Sequence, residues 1–214
     1  MKLAILSESP GDEAALRVLV GYVVQEPLQL VAPTLRARGW PSVEQVLPSI
    51  LRHLHFHTDA HGIVVVVDSD DSPVHTAEHE APGYHHPLCR LCRLRAVFRR
   101  TLKNLPPSAR GTTGPLRAAG LAVPAIEAWL LCGREPSVTE EAWIAGQASG
   151  QPPYSRRDLK ARVYGTTRPN LPLQIRRAVE EVHRHRGDVR RLENDFPFGF
   201  GTLVRDLRKW KKSP

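Results

Sequence analysis

The sequence is poor in cysteine and has no long apolar run. Its 214 residues include three cysteines, and such a low, odd number argues against a disulfide framework and is typical of a reducing compartment. No apolar run approaches the roughly 20 residues that cross a bilayer, and residues 1–8 lack the long apolar region of a signal peptide. We detect no internal repeat and no low-complexity segment. These absences predict a cytoplasmic globular protein.

The positive charge is unevenly distributed along the chain. The formal net charge is +8, but residues 156–212 hold 16 Lys and Arg against 7 Asp and Glu, a net charge of +9, so the remainder carries −1. A basic segment of this kind is either a solvated helix surface or a binding surface for an anionic polymer. Because acidic residues cluster elsewhere in the chain, we expect the segment to hold nucleic acid, either DNA or RNA, and the acidic cluster to process it.

The rest of the chain is organised around residues 62–71. Five consecutive β-branched apolar residues, Ile63 to Val67, predict a strand buried on both faces at the centre of a parallel sheet. Three carboxylates follow within four residues, at Asp68, Asp70 and Asp71. Ligands of open parallel sheets bind at the carboxyl ends of the strands. The end of this strand is therefore the first candidate site, although acids there can also simply solvate the strand end or cap a helix.

Strand-like and helical patterns alternate before residue 134. We predict strands at 2–6, 28–35, 63–67 and 116–123, and helices that begin near Asp12, at Pro41 or Ser42, near Leu88 and at Pro124. This alternation predicts the α/β class, with a parallel, Rossmann-like sheet flanked by helices. Residues 137–147, 155–163, 171–186 and 203–212 have helical patterns. We therefore predict an α/β domain over 1–134, with a His/Cys-rich insertion at about 71–92, and a helical basic region over 135–214.

Carboxylates follow two of the predicted parallel strands. Glu8 comes after the first strand, and Asp68 and Asp70 come after the third. If these strands are neighbours, the three groups meet in one cleft and need a compensating positive charge. Ligation by oxygen atoms alone favours Mg²⁺ or Mn²⁺, and such an ion can activate water and stabilise charge on a phosphoryl group.

Other charged residues are candidates for the same site. Glu13 lies in the first turn of the first helix and is a candidate ligand of the metal, with Asp12 as the rival; either can instead be a partner of the helix dipole. Glu127, in the helix after the fourth strand, is either a further catalytic group at this edge or such a dipole partner. Lys160 is a candidate cation for the transition state of phosphoryl transfer.

Together these motifs resemble the TOPRIM family. The segments Glu8-Ser9-Pro10-Gly11-Asp12-Glu13, Asp68-Ser69-Asp70 and Ile126-Glu127-Ala128-Trp129-Leu130-Leu131 are similar to motifs of small stand-alone TOPRIM proteins of bacterial defence loci, which are related to the OLD-type nucleases, and Phe198-Gly199-Phe200 resembles their C-terminal end. The glycine that follows the first glutamate in the family is Ser9 here, and Gly11 comes two residues later. The second acid is therefore Glu13 or Asp12.

The resemblance implies a TOPRIM-like fold and a metal-dependent nuclease that cleaves nucleic-acid phosphodiesters as an effector of antiphage defence. It implies that Glu8 is a general acid/base or a metal ligand and that Asp68 and Asp70 hold Mg²⁺. The alternative is a non-catalytic nucleic-acid-binding or regulatory subunit with a partner ATPase. A phosphatase with an Asp-x-Asp motif, of the HAD-like type, ranks last because its nucleophilic aspartate should follow the first strand. No tyrosine has a motif that indicates a covalent intermediate.

A second metal site is predicted in the His/Cys-rich insertion. Cys89-x-x-Cys92 has the spacing of a zinc site, and four histidines precede it, at His75, His79, His85 and His86. We expect a structural Zn²⁺ held by His85, His86, Cys89 and Cys92. The alternative is a reduced helix with two half-buried cysteines beneath a solvated loop. Cys132 is expected in the core.

Overall fold

The computed structural model describes residues 1–31, 39–81, 83–107, 114–185 and 189–210. Within them lie four strands, β1 (Lys2–Leu6), β2 (Gln29–Leu30), β3 (Gly62–Asp68) and β4 (Leu116–Ala122). The helices are α1 (Pro10–Val24), α2 (Gly39–His57), α3 (Arg90–Lys103), α4 (Ile126–Leu131), α5 (Glu140–Ser149), α6 (Arg156–Tyr164), α7 (Leu171–His183), α8 (Val189–Asp195) and α9 (Phe200–Trp210). No helix in this part of the chain is long and apolar enough to cross a membrane.

The strands form one parallel sheet in the order β2-β1-β3-β4. This confirms the predicted α/β class with a Rossmann-like parallel sheet flanked by helices. β3 lies between β1 and β4 and is buried along its whole length, as its β-branched composition predicts. Full burial of valines such as Val64 and Val65 stabilises the fold by about 1.5–3 kcal/mol each.

Helices cover both faces of the sheet. α2 and α3 contact each other and lie against β3 and β4, while α1 and α9 contact each other and lie against β1 and β4. The hydroxyl of Ser9 starts α1, because it accepts a hydrogen bond from the Asp12 backbone N at 3.2 Å. This cap orients the first turn of α1 at the carboxyl end of β1.

The C-terminal helices pack directly on the sheet domain. α7 lies along α1, and α9 lies along β4. The indole N of Trp210 donates to the Arg117 carbonyl at 3.1 Å, and Asp206 accepts from the Ala119 backbone N at 3.4 Å. α9 thus satisfies backbone groups on the edge of β4 that would otherwise be left open. The division near residue 134 stays a prediction, although the helices that follow it share the core of the sheet domain.

Several element boundaries differ from the predicted ones. The second strand has only two residues, Gln29–Leu30, and part of the predicted 28–35 segment lies outside the described residues. α4 begins at Ile126, so Pro124 precedes the helix. The short helix α8 was not predicted, and α9 begins at Phe200, three residues early.

A buried glutamate holds the turn that leads into α9. Glu140 is 1% exposed, and its Oε2 accepts a hydrogen bond from the Phe198 backbone N at 2.7 Å. The turn can approach the sheet because Gly199 has no side chain, since a Cβ there would lie 2.2 Å from the Leu121 carbonyl oxygen. Burial raises the pKa of Glu140 to about 7, although the backbone N–H groups of the turn oppose this shift.

Glu140 therefore makes stability depend on pH. Its pKa of about 7 in the folded protein lies above the ordinary value of 4.5, so the unfolded chain ionises first and stability falls as pH rises through this window. We expect the free energy of unfolding of the wild type, relative to Glu140→Gln, to fall by about 3 kcal/mol across the window. Urea denaturation at several pH values measures this difference, and a difference that does not change with pH would contradict the assignment.

Candidate active site

Two neighbouring strands bring the predicted acids together. β1 pairs with β3 up to Leu6 and Val65, so Glu8 and Asp68 follow at the same edge of the sheet. Oε1 of Glu8 accepts a hydrogen bond from the Asp68 backbone N at 3.0 Å. This bond fixes the glutamate beside the aspartate, so the condition that the prediction set, neighbouring first and third strands, is met.

The two acids open into a cavity of about 190 Å³. It is lined by residues from the ends of β1 and β3 and from the helices α1, α2, α4, α6 and α7: Glu8, Ser9, Asp12, Gly39, Asp68, Glu127, Arg156, Lys160, Tyr164 and Gln174. Four carboxylates therefore face one small space, and two basic side chains approach it. Such close like charges raise the pKa of carboxyl groups or require a cation between them.

Asp68 lies at the centre of this arrangement. The residue is buried, its Oδ1 accepts a hydrogen bond from the Ile126 backbone N at 3.0 Å, and its Oδ2 accepts one from Arg156 at 2.7 Å. Burial raises the pKa of Asp68 well above its usual range, and the nearby acids, led by Asp12, raise it further, while Arg156 opposes the shift.

Asp12, and not Glu13, lines the cavity. Burial raises the pKa of Asp12 to about 7, with further contributions from the charges of Glu127 and Glu8. Successive helical residues point about 100° apart, so only one of the two acids can face the cavity. The sequence favoured Glu13 for this place and kept Asp12 as the rival, because both occupy the first turn of α1.

Asp70 is placed differently from Asp68. It adopts a left-handed turn with φ of 47°, and its Oδ2 accepts a hydrogen bond from Arg90 at 2.6 Å. Its other oxygen pairs with Arg156. Asp70 does not line the cavity. The Asp-x-Asp pair is therefore divided: Asp68 faces the cavity, and Asp70 faces Arg90 and Arg156. Asp71 is exposed to solvent.

The helices α4 and α6 supply the opposite wall. Glu127 is buried, and burial raises its pKa, while Lys160 and a hydrogen bond with Tyr164 oppose the shift. Arg156, Lys160 and Tyr164 lie four residues apart on α6 and so share one face of that helix. Burial raises the pKa of Tyr164, which keeps its hydroxyl protonated and makes it a poor nucleophile.

The remainder of the basic segment is largely ion-paired. Acidic neighbours lie within 4 Å of many of its arginines, in the pairs Arg162–Glu135, Arg177–Glu180, Arg184–Glu181, Arg191–Asp195 and Arg208–Glu193. Surface pairs of this kind contribute little to stability, but they reduce the charge that is available to a polymer. Lys211 and Lys212 lie outside the described residues.

A second cluster of candidate metal ligands lies in the insertion. His75, His79, Cys89 and Cys92 each place one ligand atom within 4.8 Å of the others. The predicted partners His85 and His86 do not belong to it: His85 is exposed, and Nδ1 of His86 accepts from the Cys89 backbone N at 3.2 Å. The short 3₁₀ helix Ala77–Glu80 carries His79, and this part of the insertion, not the segment nearest the cysteines in sequence, places its histidines beside Cys89 and Cys92.

Two distances within the cluster match those of a tetrahedral zinc site. Nδ1 of His75 lies 3.5 Å from Sγ of Cys89 and 3.6 Å from Sγ of Cys92. Zinc–sulfur bonds of about 2.3 Å and zinc–nitrogen bonds of about 2.0–2.1 Å at a tetrahedral angle place these atoms about 3.6 Å apart. Nδ1 of His79 is buried with no hydrogen-bond partner in the described structure. The four residues could therefore hold a metal ion such as zinc.

The surroundings of the cluster suit a metal. Nε2 of His75 lies 2.9 Å from Oε1 of Glu80, which also accepts from Arg95 at 2.9 Å. A carboxylate on the outer nitrogen is the usual partner of a metal-binding histidine. A hydrogen bond between the two cysteines lowers the pKa of Cys92 to about 3 and raises that of Cys89, so they share one proton without a metal, and burial lowers the pKa of His79. Thiolate and neutral imidazole are the states that ligate metals.

The third cysteine is separate from this cluster. Cys132 is buried in the core, as predicted, and its thiol donates to Asp195 at 3.2 Å. None of the three cysteines forms a disulfide.

Comparisons with known proteins identify no relative. No protein-family model matches the sequence, and no curated protein or solved structure is similar enough to count as a match. The resemblance to the TOPRIM family thus stays a prediction from short motifs.

Proposed function

We propose that this protein is a metal-dependent phosphodiesterase that cleaves nucleic acid, with the cavity between β1, β3 and α6 as its active site. The observation that carries the proposal is the convergence of Glu8, Asp12, Asp68 and Glu127 in one space that Lys160 also lines. Four carboxylates that share one small cavity favour a divalent cation, and the neighbouring lysine suits an anionic substrate.

The carboxylates would hold Mg²⁺ or Mn²⁺ through Asp68 and Glu8, with Asp12 as a further ligand. When bound, such an ion lowers the pKa of a water molecule and stabilises charge on the phosphoryl group. Lys160 places a positive charge where the phosphate becomes more negative. Glu127, hydrogen-bonded with Tyr164, orients this wall of the cavity.

The experiment for this proposal is incubation of the purified protein with plasmid DNA, linear DNA and RNA. We expect cleavage with Mg²⁺ or Mn²⁺ and none with EDTA. Binding without cleavage, under every metal, would instead favour the non-catalytic subunit with a partner ATPase. By the TOPRIM resemblance we further propose a role in antiphage defence, which a plaque assay of bacteria that carry the gene and its neighbours would test.

Asp12 and Glu13 form a matched pair of variants. We expect Asp12→Asn to reduce the cleavage rate about 100-fold, because the change removes a carboxylate from the cavity. Glu13→Gln is expected to change the rate by less than about threefold. Equal losses in the two variants, or a larger loss in Glu13→Gln, would contradict the assignment of the second acid to Asp12.

We also propose that His75, His79, Cys89 and Cys92 bind one structural Zn²⁺ ion. Two thiolates and two imidazoles form a closed ligand set that favours zinc, and the proposal is supported by the convergence of all four ligand atoms and by the two distances from Nδ1 of His75 to the cysteine sulfurs. Metal analysis of the purified protein tests this proposal, with one equivalent of zinc per chain as the expected result. Protein that neither contains zinc nor gains thermal stability from it would reject the site.

A further inference from the structure

Arg156 occupies an unusual position for a basic residue beside a proposed metal site. Its guanidinium donates to Oδ2 of Asp68 at 2.7 Å and pairs with Oδ1 of Asp70. The remaining oxygen of Asp70 accepts from Arg90 at 2.6 Å. One guanidinium therefore bridges the two carboxylates of the Asp-x-Asp motif, which by its composition is a motif for a hard cation.

This contact competes with metal binding. An oxygen that faces a guanidinium has to release it before it can ligate an ion, so Arg156 covers Oδ2 of the central aspartate. Without a cation, however, the bridge offsets part of the repulsion among the acids: Arg156 is a group that lowers the pKa of Asp68. The arginine thus supplies, in the metal-free protein, the positive charge that the acids require.

The position of Arg156 also allows it to leave. Its side chain is 40% exposed, whereas that of Asp68 is 9% exposed, so the guanidinium enters the cavity from the solvent side. It is the first residue of α6, and the helix itself is held by the capping box of Ser155 and Asp158. Side-chain rotation can therefore release the carboxylates while α6 and Lys160 stay in place. A released guanidinium matches the geometry of a phosphate.

We infer that Arg156 is a displaceable counter-ion: it covers Asp68 and Asp70 while the cavity lacks a metal, and it moves to a phosphate of the nucleic acid when the metal binds. The inference rests on the proposed function, since it requires a divalent cation at these acids. Nucleic acid that holds the freed arginine favours the metal-bound form of the protein. By linkage, metal and nucleic acid then strengthen each other's binding.

The test is Mn²⁺ binding to the full-length protein without nucleic acid, measured by electron paramagnetic resonance. We expect Arg156→Gln to bind Mn²⁺ about tenfold more tightly than the wild type, because a competing charge next to the acids is removed. Arg157→Gln is the matched control: Arg157 neighbours Arg156 on α6 but is exposed and does not line the cavity. Asp68→Asn shows which part of the signal comes from the cavity. Circular dichroism confirms that each variant is folded.

The second measurement adds a single-stranded oligonucleotide whose phosphates resist hydrolysis. It should raise the Mn²⁺ affinity of the wild type and of Arg157→Gln about fivefold or more, and that of Arg156→Gln by less than about twofold. Arg156→Lys keeps the charge but loses the paired donors, so we expect intermediate behaviour, and it serves for both measurements if the glutamine variant does not fold.

The outcomes separate the inference from the proposed function. Mn²⁺ binding that depends on Asp68 but is unchanged or weakened in Arg156→Gln would overturn the role of Arg156 and leave the proposed metal site intact. Absence of any Asp68-dependent Mn²⁺ binding, in the wild type and in both Arg156 variants, would overturn the proposed metal site and the inference with it.

Discussion

Replacement of Asp68 by Asn is expected to reduce the metal-dependent cleavage of nucleic acid about 10³-fold, a loss of about 4 kcal/mol of transition-state stabilisation. Asp68 is the central acid of the cavity, and both of its oxygens have defined partners, the Ile126 backbone N and Arg156. An amide keeps the shape of the side chain but removes the charge that holds a cation. In one orientation of the amide, its N–H group faces the guanidinium of Arg156, which is also a donor. In the other orientation it faces the Ile126 backbone N, and that hydrogen bond is lost.

The folded state should tolerate this change. Asparagine has the same shape as aspartate, so the packing of the core is kept, and the free energy of unfolding should change by no more than about 1–3 kcal/mol, the cost of one mismatched buried hydrogen bond. Asp71→Asn is the matched control, because Asp71 is an exposed acid three residues away. Initial cleavage rates and urea denaturation of both variants check the two expectations. A rate for Asp68→Asn within tenfold of that of Asp71→Asn would place the chemistry elsewhere.

Replacement of Cys92 by Ser should release the structural zinc and lower the melting temperature by about 10 °C. Loss of a structural metal removes several kcal/mol of folding free energy, and a chain of this size changes its melting temperature by about 2–4 °C per kcal/mol. The effect should be large because the cluster joins the insertion to the first turn of α3, where Arg90 contacts Asp68 and Asp70.

Cys132→Ser is the control for this experiment, since Cys132 is also buried but lies outside the cluster. It should keep one equivalent of zinc per chain. His75→Ala and His85→Ala form a second pair: only the former should lose zinc. Metal analysis and differential scanning calorimetry measure both properties. Retention of zinc in His75→Ala, together with its loss in His85→Ala, would favour His85 over His75 as the zinc ligand.

The sequence predicted the sheet well because its signals are local. A run such as Ile63–Val67 is too apolar for any place but a buried strand, and acids directly after it have to lie at the carboxyl edge. The pairing of β1 with β3, which brings Glu8 to Asp68, was only a condition of the prediction, because the order of strands in a sheet is not a local property of the sequence.

The rest of the site depends on contacts that cross the whole chain. Arg156 is 88 residues from Asp68, and the bond between them comes from the packing of α6 against α4, which periodicity does not describe. The choice between Asp12 and Glu13 depended on the rotation of α1 about its axis, which the cap at Ser9 sets. The spacing of four residues on α6 was the available signal for Arg156 and Tyr164, and of the three residues the sequence predicted only Lys160, as a cation for phosphoryl transfer.

The candidate zinc ligands show a different limit. Spacing along the chain favours histidines that are close to Cys89-x-x-Cys92, but the insertion turns back at Ala77–Glu80 and brings His75 and His79 to the cysteines instead. A loop rich in His, Pro and Gly has no periodicity from which such a turn can be derived. A carboxylate such as Glu80, placed to bond the outer nitrogen of His75, is evident only in three dimensions.

The most direct test of the account is the anomalous scattering of a protein crystal soaked in Mn²⁺. We predict a manganese peak in the cavity, bound by Asp68 and Glu8 with Asp12 beside it, and a guanidinium of Arg156 that has moved away from Asp68. A cavity without a manganese peak, with Arg156 still paired to Asp68 in crystals that tolerate saturating Mn²⁺, would contradict the central claim that these carboxylates form the metal site of a nuclease.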